Sequence, residues 1–168
     1  MGTAEHKHGA PRSVTVAVLS VSTTRTLAED ESGRWIHQAA EARGHRVALH
    51  RVVPDDAAAL AMTVREITET PGIEVLLVTG GTGVTPQDVT IEALAPLFTK
   101  TLSAFGPLFA QLSLHEIGPA AMLSRATAGI IGHTAVFCMP GSLGACRLAC
   151  EQLIFPELGH LVKHLKGP

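Results

Sequence analysis

Apolar residues in this chain form short β-branched runs, separated by stretches in which they recur every three or four positions. The first run, VTVAVLSV at 14–21, is bounded by polar turn residues and predicts a buried strand. A polar loop, STTRTLAEDESG, follows. Trp35, Ile36, Ala39 and Ala40 then return at helical spacing, with Gly44 where a C-terminal cap belongs. Arg46 to Val53 alternates and then turns apolar, a second strand closed by Pro54 and Asp55. Leu60, Val64 and Ile67 mark one face of a second helix, Pro71-Gly72 a turn, and EVLLVT at 74–79 a third buried strand. Strand and helix alternating at this spacing is the signature of βαβ crossovers. The fold class expected is α/β: three layers, a mostly parallel Rossmann-like sheet with helices on both faces.

Beyond the third strand, a loop from Gly80 to Val89 leads into a helix over about 90–97. Another helix fits 106–116, where Leu108, Phe109, Leu112 and His115 share a face. Residues 125–131 fit a short extra strand and TAVFCM at 134–139 a buried one. After Pro140-Gly141 the pattern is one long helix, which Pro156 should break or kink. With no repeat, residues 13–168 read as a single domain and residues 1–12 as a flexible N-terminal tail.

Composition removes several function classes. At 46% hydrophobic and 17% charged, the chain is neither disordered nor a coiled coil. Thirteen Lys and Arg against 15 Asp and Glu give a net charge of -2, without the basic excess that gripping duplex nucleic acid needs. Five Phe, one Trp and no Tyr are too few for a base-stacking platform. No apolar run approaches the roughly 20 residues of a membrane span, and no apolar stretch follows His6-Lys7-His8 as in a signal peptide. Cys138, Cys146 and Cys150 are an odd set without a CxxC pair, expected as reduced core thiols of a cytoplasmic protein. The nine histidines form no ligand cluster. His160 and His164, at i and i+4, read as a solvated face.

In open parallel sheets, ligands bind past the carboxyl ends of the strands. Four segments belong there: Ser22 to Gly33, Pro54-Asp55-Asp56, Thr79 to Asp88, and Pro140-Gly141-Ser142. Gly80, Gly81 and Gly83 around Thr82 let the backbone aim its N–H groups at one point, a nest for phosphate or another anion, or else simply a tight turn. It is not a Walker A loop, since no Gly-Lys-Ser/Thr follows, and Pro86 stands where a dinucleotide fingerprint would have its third glycine. Asp55 and Asp88, alone, would read as caps or turn formers. Beside the glycine loop they suggest Mg²⁺ held by carboxylate and phosphate oxygens. Ser142 could cap the last helix or touch a ligand. Ser124-Arg125 could fork a phosphate or sit in a surface ion pair.

These motifs, taken in order, resemble the molybdenum cofactor biosynthesis proteins of the MoaB/Mog type, from about Ser13 to the C-terminus. The residues that carry the resemblance are Asp30-Glu31-Ser32-Gly33, Val53-Pro54-Asp55, Thr79-Gly80-Gly81-Thr82-Gly83 with Asp88-Val89-Thr90, Leu123-Ser124-Arg125-Ala126, and Met139-Pro140-Gly141-Ser142. The run from Met139 to Ala149 is most similar to the bacterial MoaB branch. The resemblance implies a molybdopterin-binding domain whose enzymatic members adenylylate molybdopterin with Mg²⁺ and ATP, the terminal phosphate of the pterin attacking the α-phosphate of ATP and pyrophosphate leaving. It implies Asp55 and Asp88 as the catalytic, Mg²⁺-positioning pair and Gly80 to Gly83 as the phosphate cradle. Ser32, Ser124, Pro140, Gly141 and Ser142 would line the pterin side, with Ser22, Asp30, Gly33 and Arg125 completing the substrate-binding set. It also implies a homo-oligomer, trimer or hexamer, and the molybdenum-insertion protein as a partner. Two other readings stay open: a non-catalytic molybdopterin carrier with the same pocket, and an oligomeric interaction module whose pocket is vestigial.

Overall fold

The computed structural model describes residues 9–167; residues 1–8 of the expected tail, His6 and His8 among them, lie outside the described residues. Six strands form one sheet in the order β2-β1-β3-β6-β5-β4. They are β1 (Thr15–Val21), β2 (Arg46–Val53), β3 (Val75–Thr79), β4 (Lys100–Thr101), β5 (Thr127–Ile131) and β6 (Thr134–Met139). The first four in spatial order run parallel, while β5 runs antiparallel to both of its neighbours, β6 and the edge strand β4. The α/β expectation is met.

Alternation explains the layers. Val16 and Val18 of β1 join one apolar cluster and Ala17, Leu19 and Val21 the other, as do Val75 and Leu77 against Leu76 and Val78 in β3. A strand that is apolar on both faces needs a helix on each. One face is covered by α1 (Glu31–Ala42), α4 (Phe105–Ile117), α5 (Leu143–Ala149) and α6 (Leu158–Lys166), through residues such as Ile36, Phe109, Cys146 and Leu158. The other is covered by α2 (Ala57–Glu69), through Leu60, Val64 and Ile67, and by α3 (Thr90–Leu94), through Leu94. No helix among the described residues is long and apolar enough to cross a membrane.

Three expectations need correcting. The long C-terminal helix does not run unbroken to Pro156. After α5 it widens into a π turn at Cys150–Ile154 and tightens into a 3₁₀ turn at Phe155–Glu157 before α6. Pro156 falls in the first turn of that 3₁₀ segment, where its missing N–H costs nothing. In α4 the buried face is Phe105, Phe109 and Ser113, while Leu108 and His115 point to solvent. The strand β4 has no counterpart in the sequence reading, being two exposed residues recruited by β5. At the other end of the chain, residues 9–12 do not stand apart from the fold: a Cβ on Gly159 would strike the Pro11 carbonyl, so the segment lies against α6.

Candidate functional site

Because β1, β2, β3 and β6 are parallel, their carboxyl ends share one edge of the sheet. Ser22, Pro54-Asp55, Gly80 and Pro140-Gly141 follow these ends directly. Two glycine turns meet at the centre. Gly80 N donates to the Met139 carbonyl at 3.0 Å, and a Cβ on Gly141 would sit 3.1 Å from Gly80 Cα. Gly80 has φ +98°, and a Cβ there would overlap the Val21 carbonyl oxygen. Only glycine can hold the chain this close to β1 in this backbone conformation.

Thr90 secures the glycine loop from beneath, its hydroxyl donating to the Gly80 carbonyl (2.8 Å) and its N–H to that of Gly81 (2.9 Å). Arg125 secures it from the side, Nε donating to the Thr82 and Gly83 carbonyls at 2.9 and 3.0 Å. With the carbonyls held behind, the N–H groups of Gly81 and Thr82 meet no acceptor among the described residues. Amides left open in this way suit an anion.

The two carboxylates flank this loop. Asp55 Oδ1 would lie 3.4 Å from a Cβ on Gly81, and Asp88 Oδ2 2.7 Å from one on Gly83. Neither is a helix cap: Asp56 caps α2 through Ala59 N, and α3 follows Val89 without a side-chain cap. Each is instead clamped by one threonine. Asp55 Oδ2 accepts from Thr23 N and Oγ1 at 2.7 and 2.8 Å. Asp88 Oδ2 accepts from Thr85 N and Oγ1 at 2.9 and 2.7 Å. The Thr85 hydroxyl does most to hold the Asp88 carboxyl below its ordinary range; burial opposes it, and the Thr85 and Gly83 amides and the Arg125 charge add to it.

Next to the loop, Ser22, Arg25, Asp30, Ser32, Gly80 and Gly141 line a narrow crevice of about 20 Å³, room for about one water. Ser32 donates to the Gly141 carbonyl at 2.9 Å, fixing the start of α1 against the turn after β6. Asp30 is only 2% exposed and caps α1 through Gly33 N. Burial pushes its carboxyl up. Hydrogen bonds from Ser20 (2.5 Å), Gly33 N (2.9 Å) and His50 (2.8 Å) outweigh that and hold it below the ordinary range. Asp30 and Gly33 thus shape the crevice from behind it. A Cβ on Gly33 would overlap Asp30.

Of the remaining sequence candidates, Ser142 caps α5 through Ala145 N at 3.3 Å with its side chain exposed beside Gly141. Both fork ends of Arg125 are taken by Glu92, so it braces the loop while in an ion pair. Ser124 precedes it, half-buried, and its N–H bonds to Ala121. Two groups escaped the sequence reading. Arg25 lines the crevice with a guanidinium that meets no acceptor among the described residues. Its signal was available, as the first basic residue after the first strand. His50, in contrast, reaches Asp30 only through the pairing of β2 with β1. Among the described residues no three His, Cys, Asp or Glu side chains converge as a metal cluster.

A crevice at the carboxyl edge of a parallel sheet, with open amides between two carboxylates, marks an α/β protein whose edge loops suit an anion. Residues 17–160 match the family described as a probable molybdopterin binding domain, and the chain belongs to it. It is 46% identical over 167 residues to molybdenum cofactor biosynthesis protein B of Bacillus subtilis (strain 168), covering 99% of this chain and 98% of that one. A crystal structure of a molybdenum cofactor biosynthesis protein B superposes with a TM-score of 0.91 at 43% identity, over 95% of this chain and 99% of that one. The tungsten cofactor synthesizing protein MoaB from Pyrococcus furiosus superposes with a TM-score of 0.83 at 37% identity, over 94% and 99%.

Proposed function

We propose that this protein acts in molybdenum cofactor biosynthesis by binding molybdopterin and adenylylating it with Mg-ATP. The observation that carries the reading is the placement of Asp55 and Asp88 on either side of the glycine loop, each with one oxygen clamped by a threonine. The donor set suits Mg²⁺: hard carboxylate oxygens, too few to enclose an ion and so in need of phosphate oxygens and water to complete an octahedron. Mg²⁺ held there would neutralise charge on the phosphates.

The chain's own groups do the rest. The amides of Gly81 and Thr82 hold a phosphate oxygen, and Arg25 supplies positive charge over the crevice. Ser32 and the Pro140–Ser142 turn define the side on which the pterin lies. The pterin's terminal phosphate attacks the α-phosphate of ATP, a P–O bond forms, and the bond to pyrophosphate breaks. Such a transfer needs alignment and charge neutralisation more than a protein nucleophile. Cys146, the nearest thiol, is buried behind Thr79, and burial pushes it up to about 11.

The test is pyrophosphate release from ATP with Mg²⁺, purified protein and freshly released molybdopterin. Release that depends on molybdopterin and falls at least a hundredfold in Asp88→Asn and Asp55→Asn supports the enzyme. Molybdopterin binding without release would make the protein a carrier.

A further inference from the structure

At the opposite end of the sheet from the glycine loop, α6 runs past the start of β3, where Lys166 pairs with Glu74. On this helix His160 and His164, one turn apart, bring their Nε2 atoms to 2.9 Å, with ring centroids 4.6 Å apart. Glu157 Oε2 lies 3.0 Å from His160 Nδ1. These partners assign the tautomer of His160: Nδ1–H donates to Glu157, and the Nε2 lone pair faces His164. A carboxylate on the far nitrogen is the arrangement that orients a metal-binding imidazole and raises its basicity. Both rings border a crevice floored by Leu102, Phe137 and Leu153, which bring no competing donor.

We propose that His160 and His164 chelate one divalent late first-row metal ion through their paired Nε2 atoms, copper(II) ahead of nickel(II) and zinc(II). The separation argues for the order. With metal–nitrogen bonds of about 2.0–2.1 Å, two nitrogens 2.9 Å apart subtend about 90° at the metal. That is the angle between neighbouring positions of a tetragonal site, whereas a tetrahedral zinc centre would need the nitrogens wider apart. Copper also heads the affinity series for imidazole ligands. On binding, the hydrogen bond between the rings is lost: the His164 proton moves from Nε2 to Nδ1 through solvent, which frees Nε2 for the metal, His160 keeps Nδ1–H on Glu157, and water fills the remaining positions. Nothing in this site touches the residues assigned to pterin or ATP.

The experiment is calorimetric titration of the untagged full chain with copper(II), nickel(II) and zinc(II) salts, with circular dichroism to confirm that each variant is folded. His160→Gln and His164→Gln are each expected to lose one equivalent of copper, or to hold it at least tenfold more weakly. Glu157→Gln should weaken it about tenfold, as loss of an outer partner does. Pyrophosphate release should be unchanged in all three. Electron paramagnetic resonance of the first equivalent should show two coupled imidazole nitrogens, and the His6→Gln/His8→Gln double variant should retain that equivalent. Unchanged copper affinity in His164→Gln, or loss of the equivalent only in the His6→Gln/His8→Gln variant, overturns the proposal.

Discussion

Arg125 and Glu92 face each other as a two-pronged ion pair, Nη1 to Oε1 at 2.6 Å and Nη2 to Oε2 at 3.2 Å, while the same guanidinium holds two carbonyls of the glycine loop through Nε. The pair is largely open to water, so its direct worth to stability is at most about 1 kcal/mol. Its worth to the loop is positional. Arg125→Ala should therefore leave the unfolding midpoint nearly in place and lower pyrophosphate release at least tenfold. Arg125→Lys, which keeps the charge and loses the planar fork, should recover little of it. Steady-state assays beside urea titrations read both.

Gly81 and Gly132 allow a matched comparison. Both have φ near +60° (+62° and +59°), so alanine brings similar backbone strain, of order 1–2 kcal/mol, at each. A Cβ at Gly81 meets Thr90 Oγ1 at 2.5 Å and Asp55 at 3.4 Å; at Gly132, in the β5–β6 turn, it meets nothing. Gly132→Ala is expected to cost about 1–2 kcal/mol and no activity. Gly81→Ala should cost more and abolish molybdopterin-dependent turnover. Equal losses of activity would contradict the cradle.

Acid should find Asp30 before the rest of the core. Its carboxyl lies below the ordinary value in the folded chain, so its contribution is complete above about pH 4 and is lost as the pH falls through the lower folded value. Urea unfolding at about pH 5 and pH 3 should show a steeper loss for the wild type than for Asp30→Asn. At neutral pH that variant should already be about 2–3 kcal/mol less stable, because bonds to a buried charge are lost.

The strands were legible because β-branched runs that are apolar on both faces have few other homes. The carboxyl-edge loops were legible because chain order places them. Their fastening was not. Thr23 clamps Asp55 from 32 residues away, and Arg125 reaches Thr82 across 43, distances at which one sequence carries no pairing signal. The widening of the last helix at Cys150 was invisible for a related reason. Proline announces a break, whereas a π turn is selected by what the helix packs against.

Leu114 and Ile117, one turn apart at the end of α4, and Met122 and Leu123 just beyond it are more than half exposed, Met122 at 84%. Apolar side chains gathered in one stretch of surface suit burial against another copy of the chain. Light scattering should find a trimer or hexamer. Ile117→Glu with Met122→Glu should reduce its mass and leave the far-ultraviolet circular dichroism unchanged.

Burial pushes Cys138 up to about 12 and Cys150 well above its ordinary value, so the folded chain should expose almost no thiolate at pH 8. A chromogenic disulfide reagent should titrate none of the three thiols quickly in buffer and all three in denaturant.

The bond from Ser32 to the Gly141 carbonyl joins positions 109 residues apart, across a sheet in which β6 must dock beside β3 before the crevice has its second wall. The entropy of closing so long a stretch is met before any of its contacts reward it. A ribosome-bound chain that has released its first 90 residues already holds Asp55, Asp88 and the glycine loop, yet lacks the turn at Gly141 that closes the crevice. The crevice therefore takes its final shape late in synthesis and in one step, when β6 docks and brings Gly141 to Ser32.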